Sequence, residues 1–219
     1  MFEMWAEKYR PKTIDEIAGQ EEFKRGVTKF ITKGGIPNLL LYGAPGTGKT
    51  TAAFCIAYSL LGNDLDGNFS EINASDDRGV EKMRVLVNNA TRHMPIGGKI
   101  RIILLDESDG LLRDAQELLR RPLEKATKTR FILTANEIKN FIAPLTQRLF
   151  CYEFKPLSEE VIVERLKEIA NKENVEINAD ELREIAKNAD GSLRVAINEL
   201  QKFAISGESK FEEIISKYK

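Results

Sequence analysis

The chain has 219 residues, of which 42% are hydrophobic and 31% are charged, which suits one or two globular domains with a proper core and excludes a disordered protein. Its 33 Lys and Arg residues against 34 Asp and Glu give a net charge of −1, so there is no overall basic footprint for nucleic acid and any DNA contact must come from a local stripe. No apolar stretch approaches the roughly 18 residues of a membrane-spanning helix, and the N-terminus has no signal-peptide core. We therefore expect no membrane partner and an intracellular location, which is the cytoplasm, or the nucleus if the source is eukaryotic.

Strands and helices alternate over the first 155 residues. In chain order, the patterns predict a helix over 21–32, a strand over 39–42, a helix over 51–58, a strand over 69–73, a helix over 76–92, a strand over 99–105, a helix over 114–125, and strands over 130–134 and 152–154. The arm over residues 5–20 mixes aromatic, charged and proline residues, so we expect it to be ordered without regular structure. Pro122 predicts a kink or an early stop of its helix near Arg121. The alternation predicts an α/β domain with a parallel sheet that helices cover on both faces.

From residue 156 onward the pattern is entirely helical. Ser158 precedes two glutamates and is a predicted N-cap. The sequence Asn-Ala-Asp-Glu at 178–181 predicts a capping box that opens a second helix. The Asp-Gly-Ser stretch at 190–192 ends that helix before a third one over 193–203. We therefore predict two domains, an α/β domain over 1–155 and a small all-helical domain over 156–219.

A glycine-rich loop joins the strand 39–42 to the helix 51–58. Its sequence, GAPGTGKT at 43–50, has the spacing G-x-x-x-x-G-K-[ST], and its strand–loop–helix context favours a phosphate site over a plain turn. Backbone N–H groups and the helix N-terminus would hold the phosphates of a nucleoside triphosphate. Lys49 would reach the β- and γ-phosphates, and the Thr50 hydroxyl would bind Mg²⁺. The predicted binding residues of this loop are Gly43, Ala44, Pro45, Gly46, Thr47, Gly48, Lys49, Thr50 and Thr51.

Two adjacent carboxylates follow the apolar strand 99–105. Asp106 stands at the carboxyl end of this strand, the edge at which open α/β sheets bind ligands, so it can hold Mg²⁺ through water. Glu107 is placed to orient or deprotonate the water that attacks the phosphate. The alternative is a solvated pair of acids at a strand end.

Seven segments occur in an order typical of one family. They are WAEKYRPKTIDEIAGQ, GAPGTGKTT, INASDDRG, LLDESD, DAQELLRRPLE, RFILTANE and APLTQRLFCYEFKPL, and they are spread over residues 5–157. In these segments the chain resembles the AAA+ clamp loader subunits, most closely the small subunits of archaeal and eukaryotic replication factor C. The resemblance implies an AAA+ P-loop sheet followed by a helical lid, and an ATPase that uses ATP and Mg²⁺.

The resemblance also implies roles for residues outside the loop. Asn136 would be the sensor that reads the γ-phosphate, and Arg194 a second sensor that reaches back from the lid. Arg148 aligns with the arginine finger that enters a neighbouring subunit's site, and the alternative for it is a surface arginine before a strand. The residues implied to border the adenine are Tyr9, Arg10, Pro11, Ile17 and Gly19.

The function implied by the resemblance is that of an ATP-driven clamp loader subunit, which helps to open a sliding clamp and load it on primer–template DNA during replication. Its partners would be the clamp, the DNA and other clamp loader subunits, in a ring that is pentameric when a collar domain is present. The apolar stretch around Leu111 and Leu112, with Gly110, would face the clamp, unless it is ordinary helix packing. Sequence-independent phosphate contacts, for which solvated helix faces are the alternative, would come from Arg78, Arg84, Arg113 and Arg120.

Three features depart from the family's pattern. Gln147 and Leu149 flank Arg148 where the family has Ser and Cys, and Ser108 stands where Ala is usual. The chain ends at Lys219, whereas family members continue into the helical collar, so we expect a truncated chain or a short paralogue. Two other functions stay open: another AAA+ motor such as a branch-migration helicase, and a binding-only clamp loader paralogue without turnover. The intact loop and acid pair speak against the second.

Overall fold

A computed structural model of the protein describes residues 3–74, 83–85, 95–98 and 100–206. The chain divides into two compact units. One is an α/β unit made of residues 11–44 and 49–154, and the other is a helical unit made of residues 1–10, 45–48 and 155–219. The predicted helix over 76–92 lies outside the described residues, apart from residues 83–85, which are helical.

Five parallel strands form one sheet within the described part of the α/β unit. They are β1 (Leu39–Gly43), β2 (Phe69–Asn73), β3 (Arg101–Asp106), β4 (Thr129–Ala135) and β5 (Phe150–Phe154). Their order across the sheet is β2-β3-β4-β1-β5, so β1 lies between β4 and β5. The predicted parallel sheet is therefore confirmed, and each predicted strand agrees with an observed one to within two residues at either end.

Apolar side chains cover both faces of this sheet, because successive residues of a strand point to opposite sides. On one face, Leu39 and Leu41 of β1 lie in a core cluster with buried residues of α2 (Glu21–Thr32) and α3 (Lys49–Leu61). On the other face, Leu40 lies in a second cluster with buried residues of α4 (Arg113–Lys125) and α5 (Ala143–Thr146). The sheet is thus packed against helices on both faces, and its carboxyl edge is left to the loops that follow the strands.

Helix α4 contradicts one sequence-based expectation. It continues through Pro122 to Lys125, so the predicted early stop near Arg121 is wrong. The Pro122 carbonyl still accepts a hydrogen bond from the N–H of Ala126 at 2.9 Å. The apolar face of the helix, with Leu119 and Leu123 buried in the core, holds the helical path on both sides of the proline, because this packing outweighs the lost N–H.

The helical unit contains four helices in its described residues. They are α1 (Trp5–Lys8), α6 (Glu159–Glu173), α7 (Ala179–Asn188) and α8 (Leu193–Ser206). Ser158 caps α6 by accepting the N–H of Val161, and Asn178 forms the predicted capping box with Glu181. The helical turn α1 corrects the expectation that the arm has no regular structure. The N–H of Trp5, at its start, donates to the Gln201 side chain at 2.9 Å.

The described helices are all too short or too polar to cross a lipid bilayer.

Candidate functional site

The glycine-rich loop leaves the end of β1, in the middle of the sheet, and leads directly into α3. Gly43 pairs with Phe154 of β5, and a Cβ on Gly43 would lie 2.1 Å from the Phe154 carbonyl oxygen. Only glycine fits this close approach of two backbones, where φ is +142°. Helix α3 begins at Lys49, and the N–H groups in the first turn of a helix have no acceptor within the helix, which makes such a terminus suited to an anion.

Lys49 is held at the loop by main-chain acceptors. Its ammonium donates to the carbonyl oxygens of Gly43 and Ala44, both at 2.8 Å, and the residue is only 9% exposed. A buried ammonium needs such partners because its desolvation is costly. The arrangement fixes a positive charge beside the N-terminus of α3, and both features favour an anion.

Asp106 joins the loop to the sheet. It is the last residue of β3, and its Oδ1 accepts hydrogen bonds from the Thr50 hydroxyl at 2.9 Å and the Thr134 hydroxyl at 2.5 Å. Magnesium binds oxygen ligands and usually keeps several waters, and the Thr50 hydroxyl beside the Asp106 carboxylate places two oxygen groups together, able to bind the ion directly or through water. The residues predicted to hold Mg²⁺ therefore lie together, and their donor set suits that ion.

Glu107 follows Asp106 in a left-handed backbone conformation, with φ 53° and ψ 41°. This conformation costs a residue other than glycine about 1–2 kcal/mol, so neighbouring contacts must hold it. Its N–H donates to Thr134 Oγ1 at 3.1 Å, and its side chain is exposed. The backbone turn thus separates the two acids: the carboxylate of Asp106 is tied to hydroxyls, and that of Glu107 faces solvent.

Asn136 directly follows β4, the neighbour of both β1 and β3. Its side chain is exposed, and its backbone N–H donates to Asp109 Oδ2 at 3.3 Å. The carboxyl ends of β1, β3 and β4 therefore bring Gly43, Asp106 and Asn136 to one edge of the sheet, where ligands bind in open α/β folds.

The centre of the loop, residues 45–48, belongs to the helical unit. A Cβ on Gly46 would lie 1.9 Å from Ser192 Oγ and 3.6 Å from the Cβ of Arg194. Arg194 is the second residue of α8, and it is exposed. Arg194, the predicted second sensor, thus lies beside the centre of the loop. Ser192 occupies the space that a side chain at position 46 would need. The remaining loop residues vary in burial: Thr47 is buried, Pro45 is exposed, and Gly48 and Thr51 are half-buried.

The residues implied to border the adenine fall in both units. In the helical unit, the Tyr9 hydroxyl donates to Glu173 Oε1 at 2.6 Å, and Arg165 donates to the Tyr9 carbonyl. Lys8 also contacts Glu173, and its hydrogen bond, followed by that of Tyr9, lowers the pKa of the Glu173 carboxyl. Arg10 forms a surface ion pair with Glu7.

In the α/β unit, the Pro11 carbonyl accepts a hydrogen bond from the Cys55 thiol. Ile17 is buried in the core next to the helices, and Gly19 has a φ of +63°. The Ile17 side chain therefore supports the core at this point.

Arg148 follows α5 and is half-buried. Its guanidinium donates to the Pro144 carbonyl at 2.6 Å and pairs with Glu124 at 3.5 Å. Both partners belong to this chain, so the structure shows the guanidinium in contacts within the chain.

The residues predicted for DNA and clamp contacts differ in exposure. Arg84 and Arg113 are exposed, Arg120 is half-buried and paired with Glu117, and Arg78 lies outside the described residues. Leu111 is only 5% exposed and belongs to the core cluster beneath α4, so its predicted clamp-facing role is wrong. Leu112, at 56% exposure, is accessible, and Gly110 is half-buried.

Thr134 is the site residue that the sequence alone did not reveal. It is 2% exposed, and its hydroxyl contacts the carboxylate of Asp106 and the backbone N–H of Glu107. The available signal was a lone hydroxyl residue in the otherwise apolar run Phe-Ile-Leu-Thr-Ala of β4.

Two family models match the chain. Residues 39–157 match the ATPase family associated with various cellular activities (AAA), and residues 164–205 match the RCF1/5-like AAA+ ATPase lid domain. Curated relatives named replication factor C small subunit include one from Archaeoglobus fulgidus, 44% identical over 209 residues, covering 94% of this chain and 66% of the relative. Another from Methanococcus maripaludis is 41% identical over 215 residues, covering 97% of this chain and 68% of the relative. The chain thus spans about two thirds of the length of these relatives.

The solved structures confirm the fold. The Thermotoga maritima RuvB Holliday junction branch migration motor superposes with a TM-score of 0.74 at 23% identity, covering 95% of this chain and 71% of that one. At this identity the likeness is one of fold alone.

Proposed function

The chain belongs to the AAA family of ATPases and, within it, to the replication factor C small subunits, and from this premise we propose that it binds and hydrolyses ATP as a subunit of a clamp loader. The observation that carries the proposal is the hydrogen bond between the Thr50 hydroxyl of the loop and Asp106 of the acid pair, at 2.9 Å. It joins the glycine-rich loop to the carboxylate at the end of β3, and this supports a single site for the phosphates and Mg²⁺. We also propose the predicted domains, with residues 1–155 for nucleotide binding and 156–219 as the lid.

Each part of the site has a proposed task. The N–H groups at the start of α3 and the Lys49 ammonium bind the phosphates, where a fixed positive charge is most effective. The Thr50 hydroxyl and the Asp106 carboxylate hold Mg²⁺. Bound Mg²⁺ neutralises charge on the phosphate oxygens. Glu107, with its exposed carboxylate one residue away, orients the attacking water and accepts its proton.

Further groups read the nucleotide or complete the site. Asn136, at the same edge of the sheet, contacts the γ-phosphate, and Arg194 does so from the lid. Arg148 acts in a neighbouring subunit's site, after exchanging its Pro144 and Glu124 contacts for phosphate. The adenine lies against Tyr9, Arg10, Pro11, Ile17 and Gly19.

The whole assembly has the proposed role of opening a sliding clamp and placing it on primer–template DNA. Its partners are other clamp loader subunits, the clamp and the DNA. Arg84 and Arg113, which are exposed, are the described candidates for contacts with the DNA backbone. Leu112 is the apolar side chain left accessible for the clamp beside the buried Leu111.

The experiment measures phosphate release by the protein together with its partner subunits, first alone and then with a sliding clamp and primed DNA. We expect hydrolysis that requires Mg²⁺ and that rises when clamp and primed DNA are present together. Glu107→Gln in the same assembly is the control for contaminating ATPases. A protein that binds ATP but never releases phosphate would support the binding-only alternative. Unwinding or branch migration of a four-way junction, without clamp-dependent hydrolysis, would support the helicase alternative.

A further inference from the structure

One buried hydroxyl, that of Thr134, contacts the carboxylate of Asp106 and the backbone of the next residue, Glu107. Thr134 Oγ1 donates to Asp106 Oδ1 at 2.5 Å and accepts the backbone N–H of Glu107 at 3.1 Å. Leu133 of β4 is paired with Leu105 of β3, so the sheet register itself places Thr134 beside the end of β3. Since Thr134 is 2% exposed, its hydroxyl stays in this position.

The two contacts use the hydroxyl in opposite senses. A threonine hydroxyl has one proton to donate and lone pairs to accept with. Here the proton is directed to the Asp106 carboxylate, and a lone pair receives the Glu107 N–H. The hydroxyl therefore couples the orientation of the Asp106 side chain to the backbone of Glu107, which has the unusual φ of 53°. A residue held at a positive φ needs such support from its surroundings.

We propose that Thr134 is a positioning residue for ATP hydrolysis, which fixes the Asp106 carboxylate and the Glu107 backbone relative to each other; the inference rests on the proposed function. Thr50 donates to the same oxygen of Asp106 but has no such contact with Glu107 among the described hydrogen bonds. Thr134 thus links the residue that holds the metal to the residue that orients the water. Its loss leaves the phosphate-binding loop in place and misdirects the Glu107 carboxylate.

The test separates the hydroxyl of Thr134 from its methyl group. Thr134→Val replaces the hydroxyl by a methyl group at nearly constant volume, Thr134→Ser keeps the hydroxyl and removes the methyl, and Thr134→Ala removes both. If the hydroxyl positions the acids, Thr134→Ser should have a kcat close to that of the wild type. The kcat of Thr134→Val and of Thr134→Ala should fall by about 10–100-fold, the loss typical of residues that orient the ligands of a metal. The KM for ATP stays within about 2-fold in all four proteins, because the phosphate-binding loop is unchanged. If Thr134→Val does not fold, the Thr134→Ser and Thr134→Ala pair makes the same comparison.

Amide hydrogen exchange at Glu107 gives a readout that is independent of activity. We expect the Glu107 N–H to exchange about 10-fold faster or more in the two variants without a hydroxyl, since it loses its acceptor. Thr129→Val is the matched control, because Thr129 is a buried threonine at the opposite end of the same strand. It should leave both kcat and the Glu107 exchange rate unchanged.

Three results would overturn the inference. The first is a kcat that is high in the wild type and Thr134→Val and low in Thr134→Ser and Thr134→Ala, so that it depends on the methyl group. The others are an unchanged kcat in Thr134→Val and Thr134→Ala, or an equal exchange rate of the Glu107 N–H in all four proteins. A wild-type assembly that hydrolyses no ATP would instead overturn the proposed function. The exchange rates would then still decide whether Thr134 holds Glu107.

Discussion

Replacing Gly43 by alanine tests how tightly the sheet holds the start of the phosphate loop. A Cβ at this position would lie 2.1 Å from the Phe154 carbonyl oxygen and 2.9 Å from its carbon. These are backbone atoms of a strand whose Phe154 side chain is fully buried and packs on Phe23, so the strand cannot simply turn away. Strand β5 must shift by about 1 Å, and overpacking of this kind costs about 1–3 kcal/mol.

The backbone conformation adds to this cost. Gly43 has a φ of +142°, and such a conformation costs other residues about 1–3 kcal/mol. The two contributions together come to about 4 kcal/mol, which corresponds to a fall in the unfolding temperature of roughly 8–16 °C for a chain of this size. Since the Gly43 carbonyl accepts the Lys49 ammonium at 2.8 Å, the same shift should also raise the KM for ATP, by about 10-fold.

The assay compares thermal unfolding, followed by circular dichroism, with ATP titration of the same variants. Gly34→Ala is the matched control: its φ is +84°, but a Cβ there meets nothing within 4 Å. It should cost only the conformational part, about 1–2 kcal/mol, and leave ATP binding unchanged. Equal losses of stability in Gly43→Ala and Gly34→Ala would refute the steric reasoning. A destabilised Gly43→Ala protein with wild-type ATP affinity would refute the link to Lys49.

Three further predictions concern charged side chains of the site and Glu173, the residue of α6 that contacts Lys8 of the arm. Lys49→Ala should abolish ATP binding, whereas Glu107→Gln should bind ATP normally and lose turnover. Titration calorimetry measures the binding, and phosphate release measures the turnover. Normal ATP affinity in Lys49→Ala would disprove the role of the loop. Arg148→Ala should keep ATP binding and lose about 10³-fold or more in turnover within the assembly. Mixing it with Glu107→Gln chains should recover activity, because an interface between the two variants can combine an intact Glu107 with an intact Arg148. A mixture whose subunits associate without recovering activity would count against action in trans. Because Lys8 lowers the pKa of Glu173 in the folded protein, this carboxylate stabilises the fold above its unfolded pKa and the effect is lost as the pH falls through the folded value. Thermal unfolding should therefore show that Glu173→Gln lowers the midpoint at pH 7, and that this difference shrinks as the pH falls through the acid range. A difference that stays constant down to the lowest pH at which the protein is folded would contradict the assignment.

The local patterns of the sequence determined the elements of this protein and most of its candidate site. Apolar runs predicted the strands β1, β3 and β4, and the shorter segments 69–73 and 152–154 predicted the other two. Side chains that bond to nearby main-chain groups predicted the caps at Ser158 and Asn178. The spacing of Gly43 and Gly48, followed directly by Lys49 and Thr50, predicted the phosphate loop in the same way. Each of these depends on residues within a few positions of one another, so the linear order contains the necessary information.

The tertiary structure alone decided which neighbouring residues act together. Leu111 and Leu112 look alike in the sequence, yet packing beneath α4 buries the first and leaves the second exposed. Helix α4 passes through Pro122 because its apolar face is anchored in the core. Thr134 and Asp106 lie 28 positions apart, and only the register between β3 and β4 brings that hydroxyl to the acid pair. A contact across strands depends on how the sheet is assembled and not on residues near in sequence, which is why the link between the two acids emerges only from the folded chain.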